Sequence, residues 1–171
     1  RLALNSIAQA THLGYSVDIA DGGSSDEFLR EAERRGAAVN SLPGKTFGER
    51  TRYGIQRGYD SGKPVLIRLE IEKTPLISQI QTFALPLYTG DADFVIPHRG
   101  GKTEDLFHLG YPIAQACAEK FGNTWFKDLT GIPFELDMWG GTRALRRELS
   151  DYFLDKTIDT NYNGTDDKPN N

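Results

Sequence analysis

Between Gly44 and Leu76 a helix-compatible run, a turn, a short apolar run and a second helix-like run follow one another, an order that belongs to alternating α/β folds. Gly44-Lys45-Thr46 opens into Phe47 to Tyr59, whose apolar residues are Phe47, Ile55 and Tyr59. Asp60-Ser61-Gly62-Lys63-Pro64 then supplies a stop and a turn. Val65-Leu66-Ile67-Arg68-Leu69 has the length and β-branched content of a buried strand. At its carboxyl end stand Glu70 and Glu72, followed by Lys73-Thr74-Pro75. In open α/β sheets ligands bind outside the carboxyl ends of strands, so chemistry is expected here. Two carboxylates one residue apart can flank a divalent cation, which in turn holds a diphosphate. The plainer reading is a pair of solvated loop acids.

The rest of the chain continues the alternation. Leu2, Leu4, Ile7, Ala8 and Leu13 recur at helical spacing, Gly14 ends that helix, and Tyr15 to Ala20 reads as a strand. Asp21-Gly22-Gly23-Ser24-Ser25-Asp26 is a tight polar loop in which Ser25 or Asp26 caps a helix from Glu27 to Arg35. Gly36 stops it, and residues 37–40 form a short strand. Leu76 to Tyr88 is expected as a helix ended or interrupted near Pro86, and Asp93 to Pro97 as a strand leading into His98-Arg99-Gly100-Gly101. Helices are expected over Phe107 to Phe121, with a break or start at Pro112, over Asn123 to Leu129, and over Gly140 to Phe153. The pattern opens on a helix where a doubly wound unit opens on a strand, which points to a first strand missing at the amino end. The fold class is therefore α/β with a mostly parallel central sheet flanked by helices. One domain spans 1–156, and 157–171 is a polar tail without apolar periodicity.

Composition excludes several classes. At 171 residues the chain is one domain by size and long enough for a sizeable core. A net charge of −4 disfavours a general basic surface for nucleic acid. No apolar run reaches the ~18–20 residues of a membrane span. Cys117 is the single cysteine, so no internal disulfide forms, and its apolar neighbours place it in the core. With no signal-peptide pattern the expected compartment is the cytoplasm, and without an initiator Met the chain reads as a fragment, a processed product or a trimmed piece. His98 and His108 do not fall at zinc-ligand spacing, and neither a G-x-G-x-x-G nor a G-x-x-x-x-G-K-[ST] is present, which disfavours Rossmann-type dinucleotide binding and P-loop hydrolysis.

Four segments in order carry a resemblance: DGGSSD after a strand, PGKTFGERTRYGIQRGYDSGKPVLIRLEIEKTPL, DFVIPHRGG and DMWGGTRALRRE. Together they resemble family 2-type glycosyltransferases of the GT-A fold, and the second is similar to the segment of polyprenyl-phosphate mannose synthases that holds a Gly-Lys loop, a helix, a strand and an Asp-x-Asp motif. The resemblance covers most of Leu2 to Leu149. It implies a GT-A-like domain moving a sugar from a nucleotide-diphosphate donor to an unknown acceptor, a lipid phosphate or a small hydroxyl compound.

The resemblance also implies roles by position. Asp21 would hold the base or ribose; by itself it reads as a loop-capping Asx residue. Lys45 would approach the diphosphate as a point charge. Glu70 and Glu72 stand where the family has its metal-binding Asp-x-Asp, and glutamate is an equally hard oxygen ligand for Mg²⁺ or Mn²⁺. Lys73 would neutralise phosphate beside them, and Arg99 would pair with phosphate oxygens. Asp137, followed by Gly141 and Arg143 at the family spacing, would act as general base on an acceptor hydroxyl or orient the sugar; Asp128 competes for that match. Arg143 would bind an anionic group, although Arg143, Arg146 and Arg147 also read as a solvated basic helix face. Trp139 is the better of two tryptophans as a sugar platform. Two other readings stand beside this one: a GT-A-like module that has lost catalysis and binds a nucleotide or a partner, and nucleotidyl transfer, which would need a Gly-rich phosphate loop that this chain does not contain.

Overall fold

The computed structural model of the chain describes residues 1–97, 113–131 and 141–154. Helix α1 (Leu2–His12) ends at Gly14, whose φ of 82° suits a residue without a side chain. Strand β1 (Asp18–Asp21) follows, then α2 (Asp26–Arg34), β2 (Ala38–Ser41), α3 (Phe47–Asp60) and β3 (Val65–Arg68). A 3₁₀ segment (Thr74–Gln79) runs into α4 (Ile80–Thr89), which keeps Pro86 inside it and stops at Gly90 in the left-handed region. Beyond it lie β4 (Phe94–Val95), α5 (Ile113–Thr130), β5 (Arg143–Arg146), a 3₁₀ turn (Arg147–Leu149) and α6 (Ser150–Leu154).

Local chemistry accounts for several of these boundaries. The Ser25 hydroxyl accepts the Phe28 N–H and starts α2, with Asp26 and Glu27 in the first turn where the helix dipole favours anions. At α3, Thr46 accepts the Glu49 N–H while the Glu49 carboxylate accepts the Thr46 N–H at 2.8 Å, a reciprocal capping box. Lys45 Nζ stands 2.8 Å from the same carboxylate. The Lys45 ammonium first, and then the Thr46 N–H, hold the Glu49 carboxyl down at about 2. A carboxyl lowered in the folded state stabilises above its ordinary value near 4.5 and loses that effect as pH falls toward 2. We therefore expect a Glu49 side-chain ¹³C titration midpoint near 2. Lys45→Ala moves it back toward the ordinary value; an unchanged midpoint in that variant would remove the ion pair as its cause.

The described strands form two sheets. β1 and β2 pair in parallel, Asp18 opposite Ala38 through Asp21 opposite Ser41. β3, β5 and β4 form the second in that order, with β5 antiparallel to both neighbours. β3 and β4 thus run the same way with a reversed strand between them. The mixed α/β class agrees with the sequence expectation, whereas the mostly parallel sheet does not: β5 lies where a helix over Gly140 to Phe153 was expected. Ala144 and Leu145 are buried between two neighbours, and that burial overrides the helix-forming character of Arg-Ala-Leu-Arg-Arg-Glu-Leu. α5 is also one continuous helix through Asn123 rather than two, and its Cys117 is exposed, not in the core.

Helices cover both faces of the sheets. On one face Ile7 (1% exposed), Ala32 and Ala37 pack with Val17, Ile19, Val39 and Ile71, and beside them Ala10, Ile77 and Ile80 pack with Ile67 and Leu69. On the other face α3 crosses β3 so closely that a Cβ on Gly58 would overlap the Leu66 side chain. Its Arg57 reaches Asp18 on β1 at 3.4 Å. Among the described residues, no helix is long and apolar enough to cross a membrane.

Candidate functional site

The carboxyl ends of β1 and β3 lie on one side of the molecule. α1 leads through Gly14 into the start of β1, and its own amino end meets the chain just past β3, where Ser6 Oγ and Thr74 Oγ1 stand 2.9 Å apart. Loop residues after each strand therefore share that side.

At the end of β1, Asp21 is 7% exposed. Its carboxylate accepts the Gly23 N–H at 2.8 Å and the Ser24 N–H at 3.0 Å, an Asx-type loop. Burial pushes this carboxyl up, but the Ser24 side chain, the two loop N–H groups and the Arg50 cation outweigh it and hold it below its ordinary value. Asp21 thus builds its own loop. Carboxylate oxygens keep further acceptor positions beyond these bonds. Arg50, from α3, lies against the loop where Gly22 has no side chain: a Cβ there would stand 2.6 Å from Arg50 Nη1. Arg50 also donates to the Lys45 carbonyl. Lys45 itself is exposed and spends its ammonium on Glu49.

At the end of β3 the chemistry is denser. Arg68 pairs in register with Arg143 of β5, and residues directly opposite in an antiparallel ladder share a face. Two guanidinium side chains thus start from adjacent positions on the α3 face. Arg68 donates to the Gly141 carbonyl at 2.8 Å and lies over the Phe47 ring at 5.0 Å. Burial pushes the Arg68 guanidinium below the usual arginine value, with the nearby Glu70 carboxylate acting against that shift; an arginine stays charged regardless. Glu70 is about a third exposed, lies over Gly141 in the space that a side chain there would fill, and pairs with the Lys73 ammonium. Arg143 donates to the Thr142 carbonyl at 2.7 Å. Glu72 is exposed to solvent.

Of the residues expected from the sequence, Glu70, Lys73 and Arg143 come together here, with Glu72 at the rim and Asp21 and Lys45 at the end of β1. Arg99, Asp137 and Trp139 lie outside the described residues. Arg68 and Arg50 were missed. For Arg68 the signal was present: a lone cation inside an otherwise apolar strand. For Arg50 there was none, because a helix arginine is ordinary.

Whether a divalent cation fits is decided by the donors. Among the described residues no group of three or more His, Cys, Asp or Glu side chains gathers. Glu70 and Glu72 offer hard oxygen to such an ion, and Mg²⁺ is ordinarily held by one or two carboxylates plus substrate phosphates and water. Lys73 already neutralises Glu70 and Glu72 is exposed, so holding such an ion would require Lys73 to leave Glu70. No protein-family model, no curated protein and no solved structure matches the chain.

Proposed function

We propose that this domain is a GT-A-like glycosyltransferase that binds a nucleoside-diphosphate sugar across the carboxyl ends of β1 and β3 and passes the sugar to an acceptor. The observation that carries this reading is the grouping of Arg68, Arg143, Lys73 and Glu70 at the end of β3. Guanidinium forks suit phosphate oxygens, and a half-buried cation attracts an anion more strongly than one in water. The loop of Asp21, with Arg50 across it, offers polar groups to a base or ribose on the same side.

In this reading Arg68 and Arg143 hold the diphosphate, and Lys73 turns from Glu70 toward it. Glu70 and Glu72 would hold a Mg²⁺ or Mn²⁺ ion, which supplies charge to the leaving diphosphate when bound. Asp137 and Arg99 keep the roles that the resemblance implies, general base or sugar positioning for the one and phosphate pairing for the other. A second reading, nucleotide binding without transfer, is favoured by one observation: Glu70 is already paired with the Lys73 ammonium.

Calorimetric titration of UDP and GDP, each with and without Mn²⁺, tests the proposal on the native chain and on Glu70→Ala/Glu72→Ala. The expected result is metal-dependent binding of one nucleotide, weakened at least about tenfold in the double variant, the size of one lost charge-assisted contact. Binding of neither nucleotide to the folded protein would sink the proposal. Binding without any release of nucleotide from nucleotide sugars would leave the second reading.

A further inference from the structure

The two sheets stop where they would be expected to join. β1 pairs only with β2 and β3 only with β5 among the described strands, so each turns one backbone edge toward the other. The ladder alternation identifies those edges. On β1 the Val17 and Asp21 carbonyls accept from Ala38 and Leu42, so residues 17, 19 and 21 serve β2, while Asp18 and Ala20 point the other way. On β3 the Pro64 carbonyl accepts the Arg147 N–H, so residues 64, 66 and 68 serve β5, while Val65 and Ile67 point toward β1.

Between the edges lie cavities of about 410 and 370 Å³, each bordered by both strands. Val17, Ile19, Val65, Ile67, Leu69 and Ile71 are all only half-buried there, although helices pack on both faces. Ser16 and Lys63 border the opening at one end, Ile19 and Ile71 toward the other. β1 and β3 therefore run in the same direction along it.

We infer that this opening is a strand-binding site that takes one extended peptide strand, apolar on both faces, parallel to β1 and β3 and joined to the amino end of α1. A strand there pairs with both free edges and fills the apolar gap, the arrangement by which an exposed sheet edge takes up a peptide. Its direction follows from α1. The Leu2 carbonyl lies 3.5 Å from Thr74 Oγ1, beyond the carboxyl end of β3. A strand feeding α1 must end on that side, and α1 then returns to β1 as a strand–helix–strand crossover. Thr74 lies three residues past Ile71, which borders the opening, so the join from there to the amino end of α1 is short. The inference stands on the strand edges and does not depend on the nucleotide reading.

The test appends Lys-Val-Val-Ile-Val-Ser directly ahead of Arg1 and follows amide hydrogen exchange by NMR. The comparison proteins are the chain without the addition and the chain carrying Lys-Gly-Ser-Gly-Ser-Ser instead. Exchange at Ala20 and Ile67, whose N–H groups face the opening, is expected to slow by about 100-fold with the apolar addition and not with the Gly/Ser one. Leu145 of β5 serves as the check that each protein is folded. Unchanged exchange at Ala20 and Ile67 in a folded protein would overturn the site. Protection by the same apolar sequence as a free peptide, but not when fused, would overturn the assignment to the amino end of α1.

Discussion

Arg68→Ala weakens nucleoside-diphosphate binding by about 10- to 100-fold, the effect of one or two charge-assisted hydrogen bonds in a partly dried site. The expectation rests on placement. Arg68 is held by the Gly141 carbonyl and by the Phe47 ring, faces the Arg143 position across the ladder, and lies deep enough for burial to depress its own charged form. An arriving phosphate adds to the partial compensation that Glu70 already gives. Arg68→Lys keeps the charge but loses the planar fork and the stacking on Phe47, so it recovers only part of the affinity. Calorimetry on the three proteins measures this directly. Equal affinity in all of them would assign Arg68 to the fold alone and remove it from the site.

The second large effect is on stability and has an internal control. A glycine inside a helix is ordinarily improved by alanine, by about 1 kcal/mol. Gly54 and Gly58 lie one turn apart on α3. Nothing stands within 4 Å of a Cβ built at Gly54, whereas one at Gly58 overlaps Leu66 Cδ2 and comes within 2.9 Å of its Cγ. Gly54→Ala is therefore expected to stabilise by about 0.8 kcal/mol. Gly58→Val is expected to destabilise by about 1 kcal/mol, the lower range for overpacking, because the Leu66 side-chain end that it meets can shift into the adjacent cavity. Denaturant unfolding of both variants gives the two signs. If Gly58→Val costs nothing, α3 does not approach β3 as described. Because α3 also carries Phe47 over Arg68, Gly58→Val should weaken nucleotide binding as well, in a protein that remains folded at low denaturant.

What the sequence disclosed follows from how local each signal is. Ser25 and Thr46 start their helices through contacts three residues away, so the starts of α2 and α3 were legible to within a residue. β3 was legible as an apolar, β-branched run, and β1 and β2 as short segments between Gly-containing turns. β5 was not, since Arg143 to Arg146 becomes a strand only through partners 49 and more residues away. Continuous α5 was missed for a related reason: Gly122 and Asn123 are poor helix formers, yet they cost the helix only about 1 and about 0.7 kcal/mol and do not break it. At the site, Glu70 and Lys73 were readable from spacing, but their pairing with each other was not. The proximity of Arg68 to Gly141 joins residues 73 positions apart, and no local pattern announces it.

The central claim is that a nucleoside diphosphate sits across the carboxyl ends of β1 and β3. An amide NMR titration of the native chain with UDP and then GDP, each with Mg²⁺, tests it most directly. The predicted result is that one nucleotide shifts Gly22, Gly23 and Ser24 together with Glu70, Gly141 and Thr142, while α2 and the far end of α4 stay still. Shifts confined to other surfaces, or none with either nucleotide, would contradict the account.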